Sequence, residues 1–226
     1  YVYDSQGNEI AAYELENSQP VALSEIPADV IAAILAVEDR EFYNHHGVNV
    51  RGLFRATLSN FEGGARQGAS TITQQVVKME YLAGLERDGR YKILQIIDAL
   101  RLEKVRTKDE ILERYLNTVF FGNNTYGIQA ASEVYFGKRV GALTLIEGAF
   151  LAGLIQAPST YDPIRHPQQS RRRFGQALDA LVDEGLMDPV VAEEIKFCLV
   201  GSDDPGDVAR CEGSWQLPEV VKQIPG

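Results

Sequence analysis

ADVIAAILAVEDREF, residues 28–42, carries the strongest structural signal in the chain. Its apolar residues stand at 30, 31, 34, 35 and 37, and this spacing predicts a helix whose C-terminal end carries Glu38. The helix is too apolar to be superficial. Carboxylates that leave a buried helix end lie near a cleft, where desolvation tunes a pKa for acid or base chemistry. A solvated turn with a local ion pair is the other interpretation of Glu38, Asp39 and Arg40.

Further segments show helical periodicity. Residues 91–105 and 108–120 each have one apolar face, whereas residues 143–155 are apolar on nearly all sides and should be buried. Residues 168–188 have the pattern of another amphipathic helix. Strand signals are scarce, although YVYDSQGNEIAAY at residues 1–13 alternates like a small hairpin or extended arm. The sequence therefore predicts a mainly α fold with a short β-arm at the N-terminus.

The composition limits the classes of protein to which this chain can belong. With 226 residues, 45% of them apolar and 24% charged, it can bury a sizeable core as one main globular unit. The formal net charge of -10 argues against nucleic acid as a partner and leaves any anionic ligand to a local cationic pocket. The sequence has no run of about 18 apolar residues, and its first residue, Tyr1, indicates a fragment or processed form without its targeting segment.

The last part of the chain differs in composition from the rest. From about Pro189 it is rich in glycine, proline and acidic residues, which predicts a linker or the start of another module. It contains the chain's two cysteines, Cys198 and Cys211. A disulfide between them would close a short loop, add roughly 3 kcal/mol to the stability and indicate an extracytoplasmic location. Two free thiols are the alternative.

GGARQGASTITQQVVK, residues 63–78, leads small residues into a helix with a hydroxyl-rich beginning. The free N–H groups at such a helix start can bind phosphate or sugar oxygens, and Lys78 adds a cation two turns further on. The spacing is not that of a P-loop, so an ordinary capped helix is the alternative.

A third segment, RGLFRATLSNF at residues 51–61, places apolar side chains on one helical face flanked by two arginines. This pattern is typical of a helix that lies in a membrane interface, and an internal core helix is the alternative. MEYLAGL at residues 79–85 extends the same apolar surface. The cluster at residues 171–173, three consecutive arginines, is interpreted as a solvated helix face.

Taken together, these stretches resemble the peptidoglycan glycosyltransferase domain, glycosyltransferase family 51, of class A penicillin-binding proteins and monofunctional transglycosylases. The resemblance covers roughly residues 1–190, with the motifs in the family's order and spacing. Residues 115–138 and 143–163 are similar to the family's later motifs nearly residue by residue, apart from Phe120, where tyrosine is usual. The pattern GxSTITQQxxK is matched from Gly68 to Lys78, and EDRxFxxHxG is matched at Glu38, Asp39, Arg40, Phe42, His45 and Gly47.

The resemblance implies a lysozyme-like helical lobe beside a smaller, membrane-associated jaw lobe at about residues 48–90. The glycosyltransferase domain would occupy residues 1–188, and a linker-like tail at 189–226 would lead towards a transpeptidase domain in a bifunctional parent. The family polymerises lipid II on the extracytoplasmic face of the cytoplasmic membrane, with the lipid-linked glycan as donor. The implied partners are these substrates, the outer leaflet and other cell-wall synthesis proteins, and the membrane anchor is expected outside this chain.

The chemistry of that reaction gives Glu38 a role. A sugar C4 hydroxyl is a poor nucleophile at neutral pH, so a carboxylate must take its proton as it attacks the anomeric carbon with inversion. The departing pyrophosphate calls for fixed cations. The sequence requires no cofactor, leaves a divalent cation such as Mg²⁺ open and assigns no metal ligands. The residues expected to bind substrate are Asp39, Arg40, Phe42, Ser70, Thr73, Gln74, Gln75, Lys78, Arg87, Arg90, Lys92 and Gln95.

One motif departs from the family pattern. An Arg-Lys-x-x-Glu pattern is usual, and here it falls on residues 91–95, with Tyr91 for the arginine and Gln95 for the glutamate. A neutral amide can hold a hydrogen bond but supplies no negative charge. We expect an active polymerase in which Glu38 suffices. A homologue that binds lipid II or glycan with impaired catalysis, and a lysozyme-like muramidase, are the alternatives.

Overall fold

The computed structural model describes residues 2–3, 9–11, 19–49, 70–85 and 88–200. Eight α-helices lie in these ranges, which confirms the prediction of a mainly α fold. They are α1 (Ala28–Glu38), α2 (Ile72–Glu80), α3 (Gly89–Val105), α4 (Lys108–Thr118), α5 (Ile128–Phe136), α6 (Leu145–Ile155), α7 (Pro167–Asp183) and α8 (Pro189–Val200).

The strands of the described residues form two short antiparallel hairpins. At the N-terminus, β1 (Val2–Tyr3) pairs with β2 (Glu9–Ala11), as predicted for that arm. The second hairpin joins β3 (Phe120–Gly122) to β4 (Thr125–Tyr126) after α4. Its turn consists of Asn123 and Asn124, both with positive φ, and asparagine tolerates this conformation better than most residues.

Helices α1 and α6 form the centre of the hydrophobic core. Val30, Ala33 and Ile34 of α1 are fully buried, and α6 is buried from Glu147 to its end. Gly148 allows the two helices to approach closely, because a Cβ at this position would lie 3.0 Å from the Cα of Val30. The predicted burial of residues 143–155 is therefore confirmed for most of α6, and its packing against α1 determines where Glu38 lies.

The other helices surround this pair. Helix α7 packs against both α1 and α6, while α2 packs against α3 and α4. Threonine caps begin three helices: Thr71, Thr107 and Thr144 each accept a hydrogen bond from the backbone three residues on, in a reciprocal capping box. Each such cap contributes about 1 kcal/mol. The cap at Thr71 fixes the start of α2, which faces the C-terminal end of α1.

The linker-like interpretation of the tail is wrong for residues 189–200. These residues form α8, which packs against α7 and adds Ala192, Ile195 and Leu199 to the core. Their spacing is that of one helical face, and Asp188 accepts the N–H of Val190 at the helix start. The glycines and prolines that predicted a linker come later in the chain. The limit of the glycosyltransferase domain at residue 188 stays a prediction.

The two cysteines were predicted to form a disulfide. Cys198 is disulfide-bonded in α8, and Cys211 lies outside the described residues.

The segment at 51–61 and a large part of the predicted jaw lie outside the described residues. Within the described part of the chain, no helix combines the length and apolar character needed to cross a membrane. Tyr81 and Leu85, from the segment that extends the predicted apolar surface, are 57% and 51% exposed. The membrane-associated jaw stays a prediction.

Candidate active site

Glu38 is the last residue of α1 and lies partly buried where α1 meets α2. Gln75 on α2 donates a hydrogen bond of 2.8 Å from Nε2 to Glu38 Oε2. The hydroxyl of Tyr115 on α4 in turn donates to Gln75 Oε1 over 3.1 Å. Three helices therefore contribute to the placement of one carboxylate.

The environment of Glu38 changes its acidity. Burial is the largest influence and raises the pKa of the carboxyl above the ordinary 4.5. The hydrogen bond from Gln75 and the positive charge of Arg173 lower this pKa in part, the charge of Asp39 raises it, and Tyr115 lowers it slightly. The net upward shift makes the ionised carboxylate a stronger base than an exposed glutamate, which is what proton abstraction near neutral pH requires.

Asp39 follows Glu38 but has different partners. Its buried carboxylate accepts the N–H of Ile72 at 2.9 Å and lies 2.9 Å from His45 Nε2. The bond to Ile72 satisfies one of the free N–H groups at the start of α2, where the helix dipole also favours a negative charge. Asp39 therefore anchors α2, the helix that carries Gln75 to Glu38.

His45 connects Asp39 to a partly buried lysine, Lys108. Its Nδ1 lies 3.4 Å from the ammonium of Lys108, which also bonds Glu103 at 2.7 Å. Since a carboxylate only accepts and an ammonium only donates, the neutral tautomer with its proton on Nε2 satisfies both neighbours. Thr73 donates to Glu103 at 2.5 Å, so the chain of polar contacts returns to α2. These contacts connect Asp39 and Thr73 and thereby hold α2 in place next to Glu38.

Lys92 in the first turn of α3 is the second chemical feature of this region. Its ammonium donates to Ser70 Oγ at 3.2 Å and to Gln95 Oε1 at 2.9 Å. Burial and the nearby charge of Lys78 lower its pKa. Both hydrogen-bond partners are neutral, so the positive charge of Lys92 stays available to an anionic group.

Comparison with known proteins places this geometry in a family. The family model described as Transglycosylase matches residues 6–182. The chain belongs to the transglycosylase family. It is 43% identical over 187 residues to Penicillin-binding protein 1F of Bacillus subtilis (strain 168) and 45% identical over 187 residues to Penicillin-binding protein 1A of Escherichia coli (strain K12).

These alignments cover 82% of this transglycosylase chain but only 26% and 22% of the two relatives, so the chain spans about a quarter of their length. Among solved structures, Penicillin-Binding Protein 1A from Haemophilus influenzae matches 84% of this chain and 19% of its own, with 26% identity and a TM-score of 0.47. The family assignment rests on the sequence matches.

Several residues predicted to bind substrate come together in the candidate site of this transglycosylase chain. Glu38 meets Gln75, while Ser70, Lys92 and Gln95 form a second group, with the charge of Lys78 acting on Lys92. Arg90 is exposed in the first turn of α3, and Arg87 lies outside the described residues. Arg40 pairs with Glu184 just beyond α7, 3.3 Å away.

Three of the residues predicted to bind substrate are buried in this structure, and their contact with substrate stays a prediction. Phe42 is 1% exposed and packs in the core under the ammonium of Lys108. Thr73 is buried and donates to Glu103, while Gln74 is buried and its side chain completes the cap of α2. All three side chains therefore have a structural role in this arrangement.

Sequence reasoning missed two residues that act on Glu38, Arg173 and Tyr115. Arg173 was interpreted as part of a solvated face, but it donates to the carbonyl of Gly153 at 3.2 Å and lies over the ring of Tyr161. Its position in α7, which packs against α1, brings its charge to Glu38. Tyr115 lies on the apolar face of α4, so its spacing predicts only an ordinary core residue. Spacing alone does not reveal that its hydroxyl contacts Gln75 on another helix.

A divalent cation does not fit the surroundings of Lys92. In the described residues, no group of three or more histidine, cysteine, aspartate or glutamate side chains is arranged to hold a metal ion. The oxygens of Ser70 and Gln95 already accept from an ammonium group, and its charge repels a cation.

Proposed function

We propose that this chain polymerises lipid II into β-1,4-linked glycan strands of peptidoglycan, with inversion at the anomeric carbon and release of undecaprenyl pyrophosphate. The observation that carries the proposal is the hydrogen bond from Gln75 to Glu38, a partly buried carboxylate with a raised pKa. Membership of the transglycosylase family supports the same reaction class.

In this proposal Glu38 is the general base. Lipid II presents its C4 hydroxyl, and the ionised carboxylate takes the hydroxyl proton while the oxygen attacks the anomeric carbon of the lipid-linked glycan. Attack from the face opposite the leaving group inverts the configuration in one displacement. Asp39 is not the base, because His45 and Ile72 already occupy its carboxylate.

Lys92 and Lys78 are proposed to stabilise the departing pyrophosphate. Negative charge develops on the leaving oxygens, and fixed cations near it lower the barrier more than mobile ones, since they need no reorganisation. Arg90 and Arg87 are placed near the same anion in this proposal by their position in sequence. Ser70, Gln75 and Gln95 would supply neutral hydrogen bonds to substrate or to the cations.

The location follows from the substrate. A lipid-linked donor and acceptor require that the domain works at a membrane surface. We place it at the outer leaflet of the cytoplasmic membrane, beside other cell-wall synthesis proteins, as the family resemblance implies. The disulfide of Cys198 is compatible with that extracytoplasmic location.

One observation bears on the alternative of a binding homologue with impaired catalysis. Gln95 is buried, accepts from Lys92 and donates from Nε2 to the carbonyl of Gln74 at 2.8 Å. An amide is the group that can do both at once, so the chain accommodates glutamine without an unpaired polar atom at this position. This favours an active enzyme. A muramidase has no pyrophosphate leaving group to stabilise. Its reaction would therefore give no role to a cation such as Lys92, whose two hydrogen-bond partners are neutral.

Incubation of the chain with labelled lipid II in detergent or lipid vesicles tests the proposal. Long glycan polymer is the expected product. Shortening of added glycan strands would indicate a muramidase, and retention of lipid II without turnover would indicate a binding protein; either result overturns the proposed function.

A further inference from the structure

Tyr115 has a polar atom in an otherwise apolar position. It is fully buried in α4, among core residues that include Ile111, Leu112 and Leu116. Phenylalanine would fill the same space at lower cost unless the hydroxyl had a partner. That partner is Gln75 Oε1, 3.1 Å away.

The contact determines the orientation of the Gln75 amide. An amide presents either an acceptor oxygen or a donor NH₂ to a neighbour, and a rotation of half a turn exchanges the two. An ionised Glu38 only accepts, so Nε2 must face it; Oε1 then faces the Tyr115 hydroxyl, which donates. Both hydrogen bonds thus point towards the carboxylate and polarise each other in the same direction.

We propose that Tyr115 is a positioning residue for glycosyl transfer, whose hydroxyl holds the Gln75 amide with its nitrogen towards Glu38. The residue touches no substrate; it keeps the base ionised and in place. This inference rests on the proposed function of Glu38 as the general base.

The phenol is well suited to remain a donor. Burial, together with the negative charges of Glu38 and Asp39, raises the pKa of Tyr115 well above its ordinary value of 10. The hydroxyl therefore keeps its proton over the pH range in which a carboxylate base works. The other charged groups acting on Glu38 are Asp39 beside it and Arg173 from α7, and a change at residue 115 leaves both in place.

The test compares Tyr115→Phe with Tyr135→Phe in the lipid II polymerisation assay. Tyr135 is also fully buried, and its hydroxyl donates to the carbonyl of Phe121 in β3, which makes it a matched control. Tyr115→Phe should lower kcat by about 3- to 10-fold, the effect of one lost hydrogen bond, with little change in KM. The acid limb of its pH profile should move to higher pH, because the ionised form of Glu38 loses support. Equal profiles for the two variants would overturn the proposal.

A carboxyl carbon NMR titration separates this inference from the proposed function. Glu38→Gln identifies the Glu38 resonance, and the pKa of Glu38 should be higher in Tyr115→Phe than in the wild type even when no polymer is made. An unchanged pKa would contradict the positioning role alone, whereas a wild type without polymer would contradict the function alone.

Incorporation of 3-fluorotyrosine at position 115 covers the case in which Tyr115→Phe fails to fold. This side chain keeps the shape of tyrosine and is a stronger donor. It should lower the pKa of Glu38, and no shift or an upward shift would overturn the proposal.

Discussion

Asp39 Oδ2 accepts the backbone N–H of Ile72 at 2.9 Å and thereby ties the end of α1 to the beginning of α2. Glu38, one residue earlier, receives the side chain of Gln75 from the same helix. Two adjacent carboxylates therefore have different partners: Asp39 fixes the start of α2, and Glu38 is the general base in our proposal.

Asp39→Asn should weaken this connection. Asparagine keeps one oxygen to accept from Ile72, but its NH₂ group would donate to His45 Nε2. The His45 proton would then have to lie on Nδ1, where it faces the ammonium of Lys108 and the favourable contact is lost. We expect a loss of about 1–3 kcal/mol in the free energy of unfolding, measured by urea denaturation. Asp98→Asn, which breaks a surface ion pair with Arg101, is the control and should change it by less than about 0.5 kcal/mol. Equal effects would argue against the anchoring role.

Gln95→Glu tests whether the departure from the family pattern is a handicap. A carboxylate at this position would face the carbonyl of Gln74 in place of the amide donor and would neutralise Lys92. We expect a loss of about 1–3 kcal/mol in stability and slower polymerisation. Gln168→Glu, at an exposed position in the first turn of α7, should leave both unchanged. A large gain in turnover for Gln95→Glu would instead identify Gln95 as a defect of this chain.

Lys78→Met and Lys92→Met should weaken the binding of inorganic pyrophosphate. Loss of one charge-assisted contact corresponds to about 10-fold in affinity, and the remaining binding should depend less on salt. Burial and Lys78 lower the pKa of Lys92, so this residue loses its charge at a lower pH than an ordinary lysine does. As the pH rises, pyrophosphate binding to the wild type should weaken when Lys92 loses its charge. Binding to Lys92→Met should lack this pH dependence. Isothermal titration calorimetry measures both. Lys104→Met, an exposed position of α3, is the control; an equal loss there would exclude a specific site.

Glu38→Gln should stabilise the fold at neutral pH. The pKa of Glu38 is raised in the folded protein, so the protonated form is favoured there and ionisation costs stability as the pH rises through that pKa. Glutamine resembles the protonated form. The melting temperature of the variant should exceed that of the wild type at pH 7 to 8, by about 2–4 °C for each kcal/mol, and the difference should vanish below the unfolded pKa of about 4.5. A variant that is less stable than the wild type at all pH values would contradict a partly buried carboxylate whose ionisation lowers the stability.

The helices that depend on local pattern were predictable from the sequence. The apolar spacing before Glu38 and the apolar run at 143–155 gave the two central helices, because burial selects such patterns directly. The helix at residues 189–200 was not predicted, because the glycines and prolines that follow it dominated the composition of the tail. Its three apolar positions on one helical face were the signal that could have predicted it.

The site was predictable only in part. The motifs selected both Glu38 and Gln75, which lie 37 positions apart and form a hydrogen bond in the fold. They did not reveal that Phe42, Thr73 and Gln74 are buried. Arg173 and Tyr115 depend on contacts between distant helices, and no spacing along the chain encodes them. Such contacts follow from packing, which the sequence determines only through the whole fold.

The most direct test is the rate at which purified Glu38→Gln polymerises labelled lipid II, compared with Glu41→Gln. Glu41 lies three residues further on, and its carboxylate accepts only a long hydrogen bond from Asn44, at 3.4 Å, among the contacts of the described residues. Our account predicts that Glu38→Gln forms no detectable polymer while it remains folded, and that Glu41→Gln polymerises like the wild type. Polymer formation by folded Glu38→Gln at a rate close to that of the wild type would contradict the assignment of Glu38 as the base.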